Sequence, residues 1–330
     1  MATIFLSNDK SFVATGEASL LQSAQDAGLI LEHSCRTGRC GTCRAKVLHG
    51  NAVACGDDSS LSAEDKAAGW ILTCTYTPAS DMVSLDIDDV SALAAYPSKT
   101  VPCRIDALDR LAPDVVRVML RFPPTGGPRY LAGQYVDVVA KSGVRRSYSL
   151  ANHSDPTGRV ELQIKRVDGG VLSNYWFGDA KAGDLLRIEG PKGTFFLRDV
   201  TGRDLVFLAT GTGIAPVKAM LSDLQQRPAA EMPRSVSLYW GGRQPADLYW
   251  QPPENAALRY VPVVSRGGSD WHGARGHVQE MLLADMPDLG NAVVYACGSS
   301  AMIDSASTQL VHAGLKARSF FSDAFVSSSI

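Results

Sequence analysis

Cys35, Cys40 and Cys43 stand at C-x4-C-x2-C spacing, and Cys74 follows after thirty intervening residues. Thiolates so spaced hold a cluster of two irons and two sulfides: a tight loop supplies three sulfurs, and a distant segment folds back to supply the fourth. Gly38 and Gly41 suit that loop, because a backbone wrapping a cluster with its N–H groups toward the sulfurs needs positive φ and close approach. A zinc ribbon would favour two C-x2-C knuckles, whereas here one knuckle is C-x4-C and the last cysteine stands alone. Cys55, Cys103 and Cys297 share no such spacing, and an odd total of seven cysteines argues against a disulfide framework. The six histidines show no paired metal spacing, and His33, two residues before Cys35, reads as structural because the four-cysteine set is complete without it.

Further along, Arg146-Ser147-Tyr148-Ser149 puts a cation, an aromatic ring and a hydroxyl on one expected strand. Gly169-Gly170-Val171-Leu172-Ser173 opens an expected helix over 171–177, and a glycine-opened helix start is a natural phosphate site that Arg146 can share by bidentate contacts. Read singly, the arginine is more often a solvated charge and the Gly-Gly pair more often just a turn. Gly211-Thr212-Gly213 has the flavour of a dinucleotide-binding turn without the full G-x-G-x-x-G, since Pro216 takes the place of the last glycine.

Three kinds of segment must position these groups. Residues 1–92 read as a compact α+β unit with a hairpin over 3–14. Ser19 caps a short helix that Gly28 stops, Ser62-Ala63-Glu64-Asp65 starts another, and a final alternating strand spans 82–87. The stretch 91–99, with small residues and Pro97, contains a linker at 93–99. Over 100–200, alternating runs at 104–108, 115–122, 135–140, 146–150, 160–167 and 185–188 predict an antiparallel barrel. From 201 to 330, apolar runs at 205–209, 236–240, 260–264 and 293–296 alternate with helical patterns at 215–226 and 300–313, which predicts a doubly wound parallel sheet. Ligands of such sheets sit at the carboxyl ends of the strands, which here carry Thr210-Gly211, Gly241-Gly242-Arg243, Ser265-Arg266 and Cys297-Gly298-Ser299.

The chain of 330 residues is long enough for two or three domains. Its net charge of -2 gives no footprint for nucleic acid or an anionic membrane surface. No apolar run approaches a membrane span, the N-terminus lacks the layout of a signal peptide, and the expected compartment is the cytoplasm.

Together these pieces resemble the ferredoxin-NADP reductase superfamily, in the branch where a plant-type 2Fe-2S ferredoxin precedes the flavin and nicotinamide domains. The match covers nearly the whole chain. Arg146-Ser147-Tyr148-Ser149 resembles the flavin motif R-x-Y-S, Gly170-x-x-Ser173 the pyrophosphate motif, Gly211-Thr212-Gly213-Ile214-Ala215-Pro216 the nicotinamide-dinucleotide loop, and Cys297-Gly298 the segment beside the nicotinamide. The first segment is similar to the β-grasp fold of plant-type ferredoxins. Within the branch, four strings are similar to those of CDP-6-deoxy-3,4-glucoseen reductases: Gln134-Tyr135 ahead of Arg145-Arg146-Ser147-Tyr148-Ser149, residues 187–196, residues 295–299, and Phe320-Phe321-Ser322-Asp323-Ala324-Phe325-Val326.

The resemblance implies electron flow from NADH to FAD to the 2Fe-2S cluster and on to a partner protein. That partner is a pyridoxamine-phosphate-dependent dehydrase acting on a CDP-hexose or, alternatively, a Rieske or di-iron oxygenase component. An iron-sulfur redox sensor and a free-standing diaphorase or quinone reductase are the readings from other classes. On this resemblance Tyr148 lies against the isoalloxazine, Ser149 sits near flavin N5, and Arg146, Gly170 and Ser173 hold the diphosphate. Gly211, Thr212, Gly213 and Cys297 frame the nicotinamide, and Phe325 covers the flavin face, with Phe320 and Phe321 left as sheet core. Arg243 meets the adenosine ribose. Because one arginine followed by Asp247 lacks the cation cluster that a 2′-phosphate requires, NADH is favoured over NADPH. Arg36, Arg39 and Arg44 beside the cluster loop either steer an acidic partner or form a solvated loop. A monomer is the family's default.

Overall fold

The computed structural model describes residues 1–325 except 16, 125, 141–142, 155–157, 254–256 and 287. By its internal contacts the chain forms two units, Met1–Ala95 with the C-terminal segment from Asp323, and Tyr96–Ser322.

In the first unit, alternation places one side of each strand in a core and the other in solvent. The sheet runs in the order Ser11–Ala14, Ala2–Phe5, Met82–Asp86, Arg44–His49, Trp70–Leu72, with Ala2–Phe5 parallel to Met82–Asp86. This is the expected β-grasp arrangement. The helix Leu20–Asp26 begins where Ser19 Oγ accepts from Gln22 N–H and ends before Gly28, whose φ of 78° suits the reversal. Leu20, Leu31, Leu72 and Leu85 are buried in the core beneath it. Ser62 and Asp65 form a reciprocal capping box at the start of Ala63–Ala67. A two-stranded ribbon, Ala52–Ala54 with Tyr76–Pro78, was not legible in advance, because three-residue strands carry too little alternation to register.

The second unit opens with a six-stranded antiparallel sheet in the order Arg145–Ser149, Tyr135–Val139, Leu185–Lys192, Lys99–Ala112, Val115–Arg121, Arg159–Lys165. An antiparallel bridge between Leu150 and Leu162 joins its two ends, so the sheet closes on a core that includes Val118, Leu120, Val136, Val138 and Ile188. The expected helix over 171–177 is an α-turn, Val171–Asn174, continued as a π-turn, Tyr175–Asp179, in which Ala180 N–H reaches back to Tyr175 O.

After the barrel comes a sheet in the order Ala274–Arg275, Leu258–Val264, Ser235–Gly242, Asp204–Thr210, Ala292–Gly298, Phe320–Ala324. The four expected strands all run parallel to one another. Two helices fall where periodicity predicts them, as Ile214–Leu224 and Ser300–His312. A further helix, Val278–Asp285, carries its capping signal in His277 and Glu280, which had not been read. Strand order reverses at Asp204–Thr210, whose neighbours on the two sides are Ser235–Gly242 and Ala292–Gly298. A crevice therefore opens beyond Thr210 and Gly298, the position where open α/β sheets bind ligands. Among the described residues no helix is long and apolar enough to cross a membrane.

Candidate functional site

The four cysteines converge as two pairs. Cys43 Sγ lies 3.2 Å from Cys74 Sγ, and Cys35 N–H points at Cys40 Sγ over 3.4 Å. Thr37 N–H is directed at Cys35 Sγ, also at 3.4 Å, and Gly38 N–H at the Cys74 sulfur, so backbone amides face the sulfurs as the loop glycines imply. Gly38 (φ 78°) and Gly41 (φ 70°) both take left-handed backbone, and a Cβ on Gly38 would fall 1.7 Å from Asp57 O. A thiol hydrogen bond from Cys40 holds Cys35 well below the usual thiol range, and one from Cys43 does the same for Cys74. The same contacts, with burial, push Cys40 and Cys43 up. Each pair thus parts with one proton readily and resists losing the second, as two sulfurs do unless a cation sits between them. Two thiolate pairs inside a ring of amide donors fit a two-iron cluster. The Thr73 hydroxyl beside Cys74 is fully buried and has no hydrogen-bond partner among the described residues. Ser34 Oγ donates to Asp323 over 3.0 Å within the same unit, and burial pushes the Asp323 carboxyl up to about 6; no role for either residue was read from sequence.

His33 is spent on structure, as expected. One ring nitrogen meets Leu31 O at 2.8 Å, the other meets the Arg36 guanidinium at 2.9 Å, and burial lowers its pKa. Arg44 pairs with Asp65 and lies over the Trp70 ring, which makes it part of the fold around the loop.

On the barrel, Arg146 and Tyr148 alternate with Ser147 and Ser149 along one strand and lie opposite Val138 and Val136. Neighbouring cations are neutralised: Arg145 pairs with Glu189, and Lys192 lies 2.6 Å from Asp137 and 2.9 Å from Glu189. Arg146 is different. Its guanidinium donates to Arg145 O at 2.8 Å and meets no carboxylate among the described residues. Ser149 is buried, and its hydroxyl likewise has no partner among them. Tyr148 is fixed by Trp176, whose indole packs edge-on at 6.2 Å and whose Nε1–H donates to the phenol oxygen at 3.1 Å. Burial pushes the Tyr148 phenol up to about 12, so it stays protonated at neutral pH. Ser173 is buried, and its oxygen accepts from Val167 N–H at 2.8 Å, which anchors the loop carrying Gly170. An unneutralised guanidinium, a half-buried ring and an unpartnered hydroxyl on one strand fit a planar ligand with an anionic tail, as FAD is.

At the sheet's crevice the site is made of backbone. Gly211 takes φ 54°, and its carbonyl accepts from Trp240 Nε1 at 3.0 Å. Gly213 lies so close to the next strand that a Cβ there would fall 2.2 Å from Cys297 O. Gly298 takes φ 143°, where a Cβ would meet Thr210 Oγ1 at 2.1 Å. Thr212 and Cys297 are buried beside them. Two chain reversals packed without side chains leave a floor of peptide groups that a flat ring can approach, which suits a nicotinamide. Arg243 is exposed at the end of the next strand, and the Asp247 carboxylate accepts from the N–H groups of Arg243 and Gln244 at 2.7 and 2.9 Å. Phe325 stands one residue past the last strand, 39% exposed, while Phe321 stacks on Tyr295 at 4.9 Å as sheet core. Val326 lies outside the described residues.

Three family models match in the same order as these sites. A 2Fe-2S iron-sulfur cluster binding domain matches residues 5–79, an oxidoreductase FAD-binding domain residues 102–197, and an oxidoreductase NAD-binding domain residues 207–308. The chain belongs to the family of iron-sulfur flavoprotein reductases. Among the relatives of this reductase, a CDP-6-deoxy-L-threo-D-glycero-4-hexulose-3-dehydrase reductase of Yersinia pestis is 42% identical over 322 residues, covering 96% of each chain. A terephthalate 1,2-dioxygenase reductase component of Comamonas sp. is 32% identical over 330 residues, covering 96% of this chain and 95% of that one. A crystal structure of an Amycolatopsis cytochrome P450 reductase superposes with a TM-score of 0.70 at 28% identity, covering 98% of this chain and 99% of the other. The reductase is therefore an NAD(P)H-dependent oxidoreductase with a 2Fe-2S domain, an FAD domain and an NAD domain. Two of its supporting residues went unread in the sequence. Trp176 and Trp240 each aim an indole N–H at a site group, and the only advance signal was a tryptophan in the segment after Gly-Gly and another just before Gly-Gly.

Proposed function

We propose that this reductase takes hydride from NADH and delivers single electrons through the cluster to a pyridoxamine-phosphate-dependent dehydrase acting on a CDP-hexose. When bound, the flavin supplies the exchange between a two-electron hydride donor and a one-electron cluster. The chain's own groups do the rest. Arg146 holds the diphosphate by charge-assisted bonds, with Gly170 and Ser173 closing the loop around it. Tyr148 presents its ring to the isoalloxazine, Ser149 offers its free hydroxyl near N5, and Phe325 covers the other face. Gly211, Thr212, Gly213 and Cys297 hold the nicotinamide on peptide groups, while Cys35, Cys40, Cys43 and Cys74 ligate the irons. The domains of this reading are 1–92, 100–200 and 201–330, joined by the linker 93–99. Seven cysteines, none of them in a disulfide among the described residues, support a cytoplasmic setting.

The observation that carries the flavin assignment is Arg146, the one arginine on its strand without a carboxylate among the described residues. Arg146→Ala is expected to release FAD on desalting while the iron content stays whole; a variant that keeps FAD overturns the assignment. NADH preference is supported by Asp247, whose carboxylate sits on the Arg243 loop where a 2′-phosphate would be repelled. One observation favours NADPH: Arg266 N–H donates to Arg243 O at 2.8 Å, so two arginines leave adjacent strand ends together. The ratio of kcat/KM for the two nucleotides decides between them. The 42% identity to a dehydrase reductase, against 32% to a dioxygenase reductase, supports the dehydrase as acceptor. Mild crosslinking under NADH in native cells, followed by capture of the tagged chain and mass spectrometry, is expected to enrich a pyridoxamine-phosphate enzyme. Enrichment of a Rieske or di-iron oxygenase instead would move the task to oxygen activation.

A further inference from the structure

The strand Arg159–Lys165 is buried on both faces from Val160 to Ile164. Val160, Leu162 and Ile164 fill the barrel, and the opposite face carries Glu161 and Gln163, each 6% exposed. An enclosed carboxylate and amide on the outside of a barrel are costly unless every polar atom is met. Here they are met from the nicotinamide-binding side. Lys218 Nζ donates to Glu161 Oε2 at 2.5 Å, Gln163 Nε2 to Glu161 Oε1 at 3.0 Å, and Tyr249 OH to Gln163 Oε1 at 3.0 Å. Burial pushes the Tyr249 phenol up, which keeps it a donor.

One arm of this network stands on the helix that leaves the turn Gly211–Gly213, and the other reaches that turn through Trp240. Lys218 stands in the second turn of Ile214–Leu224, the helix that begins directly after Gly213. The Tyr249 ring packs edge-on against Trp240 at 5.1 Å, and Trp240 Nε1 donates to Gly211 O. Gly211–Gly213 is thus held from its helix by a lysine on Glu161 and from its carbonyl through a tyrosine on Gln163, and Gln163 and Glu161 are bonded to each other. A buried ion pair adds little stability over an apolar pair of similar volume, so energy alone does not account for it. Geometry does, because a hydride donor misplaced by about 1 Å costs on the order of a hundredfold in rate.

We propose that Glu161, with Gln163, Lys218 and Tyr249, forms a positioning centre that sets the nicotinamide turn against the flavin strand and so governs hydride transfer more than nucleotide affinity. This rests on the assignment of Gly211–Gly213 and Arg145–Ser149 given above.

The test is anaerobic stopped-flow bleaching of the flavin by NADH in the full holoenzyme. The conservative Lys218→Arg, which keeps the ion pair, is expected to stay near the wild-type rate. Glu161→Gln is expected to slow the saturating rate about tenfold, with FAD content unchanged and NADH Kd within about twofold. Tyr249→Phe removes a single hydroxyl and is expected to slow it about threefold. The double variant Glu161→Leu/Lys218→Leu removes the ion pair without stranding a charge, and it is expected to melt near wild type yet transfer hydride slowly. Wild-type melting with a wild-type rate in that double variant, or a loss of NADH affinity that matches the loss of rate, overturns the inference alone. A wild-type chain that NADH does not bleach overturns the functional reading and this inference with it.

Discussion

The cysteine loop and the glycine turn proposed for the nicotinamide solve the same problem with opposite materials. Around Cys35, Cys40, Cys43 and Cys74 the chemistry belongs to side chains, and the backbone bends irregularly to aim them. At Gly211–Gly213 and Gly298 the chemistry belongs to the backbone, and side chains are kept away so that peptide groups approach one another. A site of the first kind is lost with one atom. A site of the second kind is lost by adding one.

The largest expected effect tests the first half of that contrast. Cys43→Ser removes one sulfur from a pair 3.2 Å apart and is expected to abolish cluster iron, as metal analysis and visible absorption would show, while FAD stays bound. A variant with full iron would mean that another group replaces the thiolate. Next comes the addition of an atom. Gly298→Ala places a Cβ 2.1 Å from Thr210 Oγ1 at a φ of 143°, and kcat/KM for NADH is expected to fall on the order of a hundredfold with iron and FAD intact. Near-normal kinetics would show that the turn can shift, and the contrast would weaken.

A third prediction probes the foundation of the backbone-built site. Asp204 begins the strand that ends in that turn. Burial alone would raise its carboxyl, but Arg234, Ser235 at 2.7 Å and Asn291 outweigh this and hold it below the ordinary carboxylate range. A carboxyl whose folded pKa lies below its unfolded one contributes stability that is complete above the unfolded value and is lost as pH falls through the folded value. The melting temperature of the wild type is therefore expected to drop below about pH 4. Asp204→Asn should melt lower at neutral pH and with a flatter profile in acid; parallel profiles would refute the linkage. The smallest effect belongs to Ser62→Ala, which breaks the capping box near the cluster loop and is expected to cost about 1 kcal/mol in denaturant unfolding with turnover unchanged.

The same contrast explains what the sequence disclosed. Ligand spacing announced the cluster, because four sulfurs can serve it only at workable separations. Capping residues announced Leu20–Asp26 and Ala63–Ala67, and apolar runs announced the parallel strands. The turn proposed for the nicotinamide was legible only as glycines at strand ends, a pattern that turns without ligands share. Glu161 and Gln163 were illegible, since Val-Glu-Leu-Gln-Ile alternates as a half-solvated strand does, and only tertiary packing encloses its polar side. Trp176 and Trp240 were hidden for a similar reason, because a core tryptophan and one that aims its N–H at a site look alike until the acceptor is placed.

The bridge between Leu150 and Leu162 carries a consequence for the molecule's life among other proteins. A sheet whose ends begin to meet shortens the row of unpaired peptide groups on which a stray chain could grow another strand. The ferredoxin unit has no such protection: Ser11–Ala14 is a terminal strand of its sheet and holds Val13 outward at 56% exposure. On heating or during synthesis, intermolecular strand pairing is expected to begin there, and a lysine at position 13 is the simplest guard against it.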